Sequence, residues 1–331
     1  MNQRVRRFAV LLLSTAGLTI WSTGLTPARA EDAWPSHPVR LVVPFSAGGS
    51  ADTLGRIAAQ QLSEALGQQF VADNRPGAGG LIGVDIAAHA PPDGYTLAVS
   101  GIASLVVGPV LNPNAPYDPL KDLTQIALLG GPPTVLIVAN NVPVKTLAEF
   151  VALAKSTPGG LSFGTPGIGT HGHLVGEMFQ QRAGFRMTHV PYRGASQAVT
   201  DIVSGQVPVG SVTLTTASEQ ILTGSVRALA VTSTRRLAEY PDVPTFVELG
   251  YKDMIATTWF SLSGPAGLPP SIVNRISEVI VKSWQKPEVR KRLDRDAIDP
   301  EPLTPAEFTE FVKSEIARWG PLARASGAKP E

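Results

Sequence analysis

The run Val39-Arg40-Leu41-Val42-Val43-Pro44-Phe45-Ser46-Ala47-Gly48-Gly49-Ser50-Ala51-Asp52 constrains the fold of this chain more than any other stretch. Apolar, mostly β-branched residues lead into Pro44, a glycine pair follows, and residues 53–66 then repeat their apolar positions at helical spacing. The run reads as a buried strand, a glycine turn and a helix. Such a junction aims several backbone N–H groups at one point, with the positive end of a helix dipole behind them. A small anion can sit there without any Lys or Arg. One helix end contributes only ~0.3–1 kcal/mol to an exposed anion and ~2 kcal/mol when partly buried. Micromolar binding requires about 8 kcal/mol, so a second contact surface is needed.

Gly164-Thr165-Pro166-Gly167-Ile168-Gly169-Thr170-His171-Gly172-His173 supplies a candidate. It also follows a strand-like run (161–163) and precedes a helical one (171–183). Its G-x-x-G-x-G spacing is not a dinucleotide fingerprint, and it has no Gly-Lys-Ser/Thr of a Walker loop. Two such turns facing one another would grip a dicarboxylate, or a carboxylate with a polar tail. Asp52 suits a helix cap, and Tyr192, at the end of the strand-like run 188–192, is placed to line the same cleft.

Strand-like and helical runs alternate along the chain. Residues 39–43, 69–73 and 95–99 read as strands separated by helices at 53–66 and 81–90, an order that argues for a parallel sheet covered on both faces. The pattern restarts with strands near 128 and 135–138, 161–163, 188–192 and 226–231, and helices at 146–156, 171–183 and 195–204. The chain is expected to return to the first unit near 240–263, and helices at 271–284, 287–295 and 304–319 to cover its outer face. This gives an α/β fold of two lobes: 31–129 with 253–331, and 130–252, each a mostly parallel sheet flanked by helices. In such sheets ligands sit at the carboxyl ends of the strands.

Residues 1–30 read as a secretory leader, with Arg4, Arg6 and Arg7 ahead of a short apolar run and Ala28-Arg29-Ala30 as a cleavage signal. Cleavage near Ala30 would place the protein in the periplasm. The full chain has 28 basic and 27 acidic residues; removing the leader's four arginines leaves 24 against 27. That is no footprint for nucleic acid, which needs a clustered basic surplus. The chain has no cysteine, which excludes disulfides, thiolate metal sites and cysteine nucleophiles. His171, His173 and Glu177 share one stretch, yet no further ligand falls at metal spacing, so no metal and no cofactor is expected; His173 is read as fixing the loop or donating to a ligand. There is no G-x-S-x-G elbow and no carboxylate pair in either loop, which argues against an enzyme.

Several segments in one order carry a resemblance: Pro44–Asp52, Asn74-Arg75-Pro76-Gly77-Ala78-Gly79-Gly80, Pro92-Asp93-Gly94-Tyr95-Thr96-Leu97, Pro116-Tyr117-Asp118-Pro119, His189-Val190-Pro191-Tyr192-Arg193-Gly194, Arg227-Ala228-Leu229-Ala230-Val231-Thr232 and Pro241-Asp242-Val243-Pro244-Thr245. Together they resemble the Bug-type extracytoplasmic solute receptors, the substrate-binding subunits of tripartite tricarboxylate transporters. The resemblance implies a type II periplasmic-binding-protein fold that closes on a ligand. It implies carboxylate capture by the backbone of Ala47, Gly48 and Gly49, with Thr165, Gly167, Gly169 and Thr170 opposite. Phe45, Asp52, Ile102, His173 and Tyr192 complete the expected ligand-binding set. The implied partners are a large and a small membrane subunit driven by an ion gradient; a monomer suits a receptor that shuttles between ligand and membrane. A departure lies at Gly210-Ser211-Val212-Thr213-Leu214-Thr215-Thr216, where many members carry Met-Phe and often an acid; the change removes bulk, adds hydroxyls and favours a ligand without an ammonium group. The expected ligand is a dicarboxylate or an aromatic acid. A receptor feeding a sensor shares every one of these features, and an exported enzyme acting on a carboxylate ester is the alternative of a different class.

Overall fold

The computed structural model describes residues 34–300 and 303–325; the expected leader lies outside the described residues. Two five-stranded sheets carry the fold. In the first, β1 (Val39–Val43), β2 (Phe70–Asn74) and β3 (Thr96–Gly101) run parallel, and β10 (Phe260–Pro265) lies antiparallel between β3 and β4 (Leu123–Gly130), giving the order β2-β1-β3-β10-β4. The second follows the same plan. β6 (Leu161–Thr165), β7 (Met187–Pro191) and β8 (Val209–Thr213) are parallel, and β5 (Thr134–Ala139) lies antiparallel between β8 and β9 (Val226–Val231). In each sheet four strands thus run one way and a single strand, β10 or β5, runs against them, so both sheets are mostly parallel, as the sequence implied. The reason is the connectivity: β5 and β10 are the strands by which the chain enters a lobe from the other one, so each arrives running against its neighbours.

Helices α1 (Ser50–Leu66) and α2 (Leu81–Ala88) connect the parallel strands of the first sheet. After β3 a π-helical turn, Ala103–Val107, runs into the short α3 (Gly108–Leu111). In the second lobe α4 (Leu147–Ser156), α5 (His171–Ala183), α6 (Ala195–Val203) and α7 (Leu214–Leu222) fill the same role. α8 (Pro270–Ser283), α9 (Pro287–Arg295) and α10 (Pro305–Ala325) follow β10. Tyr240 and Val243 are buried in the core of the second lobe, and Val231 bridges Thr245. The return to the first sheet therefore comes at Phe260 and not near residue 240.

Two segments cross between the lobes. The first, Gly131-Pro132-Pro133, is short; the second, Thr257-Thr258-Trp259, lies against it, with Pro133 bridging Thr257 and the Thr258 N–H donating to Pro132 O at 3.0 Å. Gly130 and Gly131 are required here. A Cβ on Gly131 would lie 2.0 Å from Thr258 O, and one on Gly130, at φ +82°, 2.0 Å from Asp299 O.

Candidate functional site

The Val39–Asp52 junction forms as read, but its helix starts three residues early. Gly49 is the N-cap, extended at φ −89° and ψ 172°, and Ser50 is the first helical residue. Asp52 is accordingly not the cap. From the third helical position its Oδ2 reaches back to accept the Gly48 N–H at 3.0 Å, while Arg56 Nε and Asn74 Nδ2 bond its two oxygens. Burial pushes the Asp52 pKa up, but these donors outweigh it and hold the carboxyl below its ordinary value. Asp52 braces the turn, and the Gly48 amide is engaged by it. Ala47 and Gly48 are exposed at the outer edge of the cleft, where Ala47 O accepts from Ser196 Oγ at 3.0 Å.

The second turn is similarly self-bonded. Thr165 Oγ1 accepts from Gly167 N at 3.2 Å and contacts His189 Nε2 at 2.7 Å; Thr170 Oγ1 donates to Gly167 O at 2.7 Å; His173 Nδ1 accepts from Gly169 N at 3.2 Å. The amides of Gly167 and Gly169, expected to face a ligand, thus have internal acceptors. His173 stacks on His189 at 4.0 Å, and burial lowers its pKa to about 4. Burial, then the neighbouring His173, lowers His189 to about 3. Both rings are neutral and act as loop fasteners. Tyr192 turns away to donate to Asp201 Oδ2 at 2.6 Å. Among the described residues no cluster of three His, Cys, Asp or Glu is arranged to hold a metal ion.

What remains is a cleft between the lobes, of about 40 Å³, room for a water molecule or two. From the first lobe it is lined by Phe45, by Gly49, Ser50 and Ala51 at the start of α1, and by Gly101 to Ser104 after β3. The second lobe contributes Pro166, the first turn of α5 (Thr170, His171, Gly172), Ala195 at the start of α6, and Thr213, the cap of α7. Thr258, Trp259 and Phe260 close it from the second crossing. Of the expected set, Phe45, Gly49, Ile102 and Thr170 lie on this wall. Ala47, Gly48, Asp52, Thr165, Gly167, Gly169, His173 and Tyr192 stand around or behind it. The sequence reading missed Ser50, His171, Gly172, Thr213, Thr258 and Trp259. The first four lie beside or inside segments it had singled out; Thr258 and Trp259, just ahead of β10, carried no such signal.

Four helices therefore begin at this cleft, two capped by glycines and two by threonines. Their first-turn amides have no intrahelical acceptor, and no Lys, Arg, Asp or Glu lines the wall. The arrangement offers partial positive charge from both lobes and no formal charge. Thr258 Oγ1 and His171 Nδ1, both on residues of the wall, lack any hydrogen-bond partner. Burial and, secondarily, Arg318 lower His171 to about 3, so its imidazole is neutral. Trp259 is fixed from behind: its Nε1–H donates to Glu315 Oε2 at 2.8 Å, as does Trp319 Nε1–H at 3.0 Å, and Trp319 meets the His171 ring edge-on at 5.3 Å. Hydrogen bonds join the two lobes around the cleft, from Ser50 Oγ to Thr213 Oγ1 at 2.7 Å and from Ser46 N to Arg193 O at 3.1 Å.

The sequence pattern of the tripartite tricarboxylate transporter family receptor matches residues 54–328. This chain belongs to that receptor family. It is 36% identical over 319 residues to the protein BugT of Bordetella pertussis, covering 96% of this chain and 98% of BugT. Among solved structures, Rpa4515 of R. palustris with adipate superposes with a TM-score of 0.85 at 31% identity, covering 90% of this chain and 100% of that one. MatC of Rhodopseudomonas palustris with bound malate gives a TM-score of 0.81 at 30% identity, over 88% of this chain and 100% of MatC. The receptor's two-lobed architecture and its resemblance to the Bug proteins accord with the sequence reading.

Proposed function

We propose that this receptor captures a small carboxylate in the periplasm and delivers it to the large and small membrane subunits of a tripartite transporter, as a monomer that opens and closes about its two crossings. The supporting observation is the convergence of four helix N-termini, from both lobes, on a cleft whose wall carries no charged side chain. Partial charges from helix ends favour an anion, and their low-dielectric surroundings strengthen each contact. Among the described residues no helix is long and apolar enough to cross a membrane. The relatives holding adipate and malate support a carboxylate as the ligand class. The closed cleft is too small for such an acid to enter, so the lobes must part first.

Ser50 allows a clean test. Gly49 is already extended, the conformation a following proline requires, and proline is well tolerated at the first helical position. Ser50→Pro removes the amide donor and the hydroxyl; Ser50→Ala removes the hydroxyl alone. A thermal-shift screen of mono-, di- and tricarboxylates identifies the ligand, since one present at 100 times its Kd stabilises by about 2.7 kcal/mol. Calorimetry should then show Ser50→Pro binding at least about tenfold more weakly than Ser50→Ala. Equal affinities would remove the helix end from the site, and a screen with no hits would remove the carboxylate reading itself.

A further inference from the structure

The glycine-bearing motifs at 74–80 and 189–194 place no residue on the cleft wall. One glycine of each meets the opposite lobe instead. A Cβ on Gly79, at φ +61°, would lie 2.3 Å from Ile168 O, and one on Gly194, at φ +154°, would lie 2.1 Å from Ser46 Oγ. The three atoms nearest to a Gly194 Cβ all belong to Ser46. Each glycine thus combines a backbone conformation that side chains disfavour with a notch for the other lobe. Hydrogen bonds join the lobes beside these notches. Ser46 N and Oγ both donate to Arg193 O at 3.1 Å, Ser196 Oγ donates to Ala47 O at 3.0 Å, and Thr215 Oγ1 donates to Asp296 O. Asp296 caps α9, which packs into the core of the first lobe through Val289 and Leu293. None of these residues lines the cleft wall.

Arg193 and Asp296 take part through their carbonyls, so every bond of this set is between neutral groups. The bonds exist only while the lobes stand together. They therefore favour that arrangement by the same amount whichever ligand lies inside. A ligand enters with the lobes apart and leaves only after they part again, so contacts that hold the lobes together slow release and leave entry unchanged. We propose that Ser46, Ser196 and Thr215, with the notches at Gly79 and Gly194, form a seam that sets how long the ligand is held without touching it. This rests on the reading of the protein as a receptor whose lobes open and close around a carboxylate, and adds to it which residues govern release.

Ser196→Ala and Thr215→Val each remove one seam hydroxyl and nothing from the wall; far-ultraviolet circular dichroism confirms that both variants are folded. Stopped-flow measurements with the acids selected by the thermal-shift screen should show dissociation about two- to tenfold faster in each variant, the value of one net hydrogen bond, and association within about twofold of the parent protein. Every acid should weaken by the same factor. Dissociation unchanged in both variants, or a factor that differs from acid to acid, would overturn the seam. A second measurement needs no acid. The chain has no cysteine, so Gln60→Cys on α1 and Gln181→Cys on α5, both exposed, take a dye pair cleanly. Single-molecule energy transfer should then show the lobes parting about two- to tenfold faster when Ser196→Ala or Thr215→Val is added. Lobes that never part, or part at an unchanged rate, would overturn the seam. Faster parting in a protein that binds no acid at all would overturn the carboxylate reading and uphold the seam.

Discussion

Replacing Glu315 probes how the last helix supports the cleft. Its side chain is buried, with the residue 6% exposed, and one oxygen, Oε2, accepts from both Trp259 Nε1 and Trp319 Nε1. Leucine at 315 would leave two buried indole N–H groups without an acceptor, each costing about 1–3 kcal/mol. Relief of carboxylate desolvation and the added apolar burial offset part of that, so Glu315→Leu should lose about 2–4 kcal/mol. Glutamine can place its carbonyl oxygen where Oε2 stands and keep both bonds, losing only the charge assistance, about 1 kcal/mol. The Arg318 contact at 3.7 Å lies on a side chain 60% exposed and adds little to either figure. Urea unfolding followed by circular dichroism gives the two differences, and titration with the ligand found by the screen gives the effect on the site. Glu315→Leu should also weaken binding, because Trp259 forms part of the wall; Glu315→Gln should leave it nearly intact. Leucine and glutamine variants of equal stability, or a leucine variant with unchanged affinity, would refute the claim that this carboxylate positions Trp259.

Gly172→Ala would put a Cβ 2.2 Å from Ser211 O and 2.9 Å from Pro166 Cδ; neither can yield cheaply, so α5 must shift from β8 at a cost of about 1–3 kcal/mol, and calorimetry should show affinity falling by about tenfold or more. Stability should decline in acid through the histidines: His171, His173 and His189 have native pKa values lowered to about 3, 4 and 3 against an ordinary 6.5. Each group's contribution is complete above pH 6.5 and is lost as the pH falls towards its native value, because the unfolded chain takes up the proton first, with a slope of up to about 1.4 kcal/mol per pH unit per residue. Urea midpoints measured from pH 7 to pH 4.5 should therefore fall, and His173→Asn, which keeps an acceptor for the Gly169 amide, should shallow the slope.

The sequence made the strands of the two parallel halves legible except for β8, because runs such as 41–43 are apolar and bounded by turn residues. It also located both glycine turns, since Gly-Gly and G-x-x-G-x-G after a strand leave few other conformations. α7 escaped the reading. Thr213, Thr215 and Thr216 are poor helix formers, and it is the burial of Leu214 and Ala217 against the sheet that makes the segment helical. Which amides face the cleft was also illegible. That depended on side chains folding back on their own turns, Asp52 onto Gly48 and His173 onto Gly169, a competition that residue types alone do not rank. Thr258 and Trp259 reach the site only through a crossing some 90 residues after the second turn, a distance over which local pattern carries no information.

The place of β10 in the first sheet has a consequence for how the chain acquires its structure. The strand stands between β3 and β4, so a chain emerging from its amino end cannot complete that sheet until residue 265 is out. All five strands of the second sheet lie between residues 134 and 231. The lobe built from the middle of the chain can thus complete its sheet first, while β3 and β4 wait for the strand they share with edges open to aggregation.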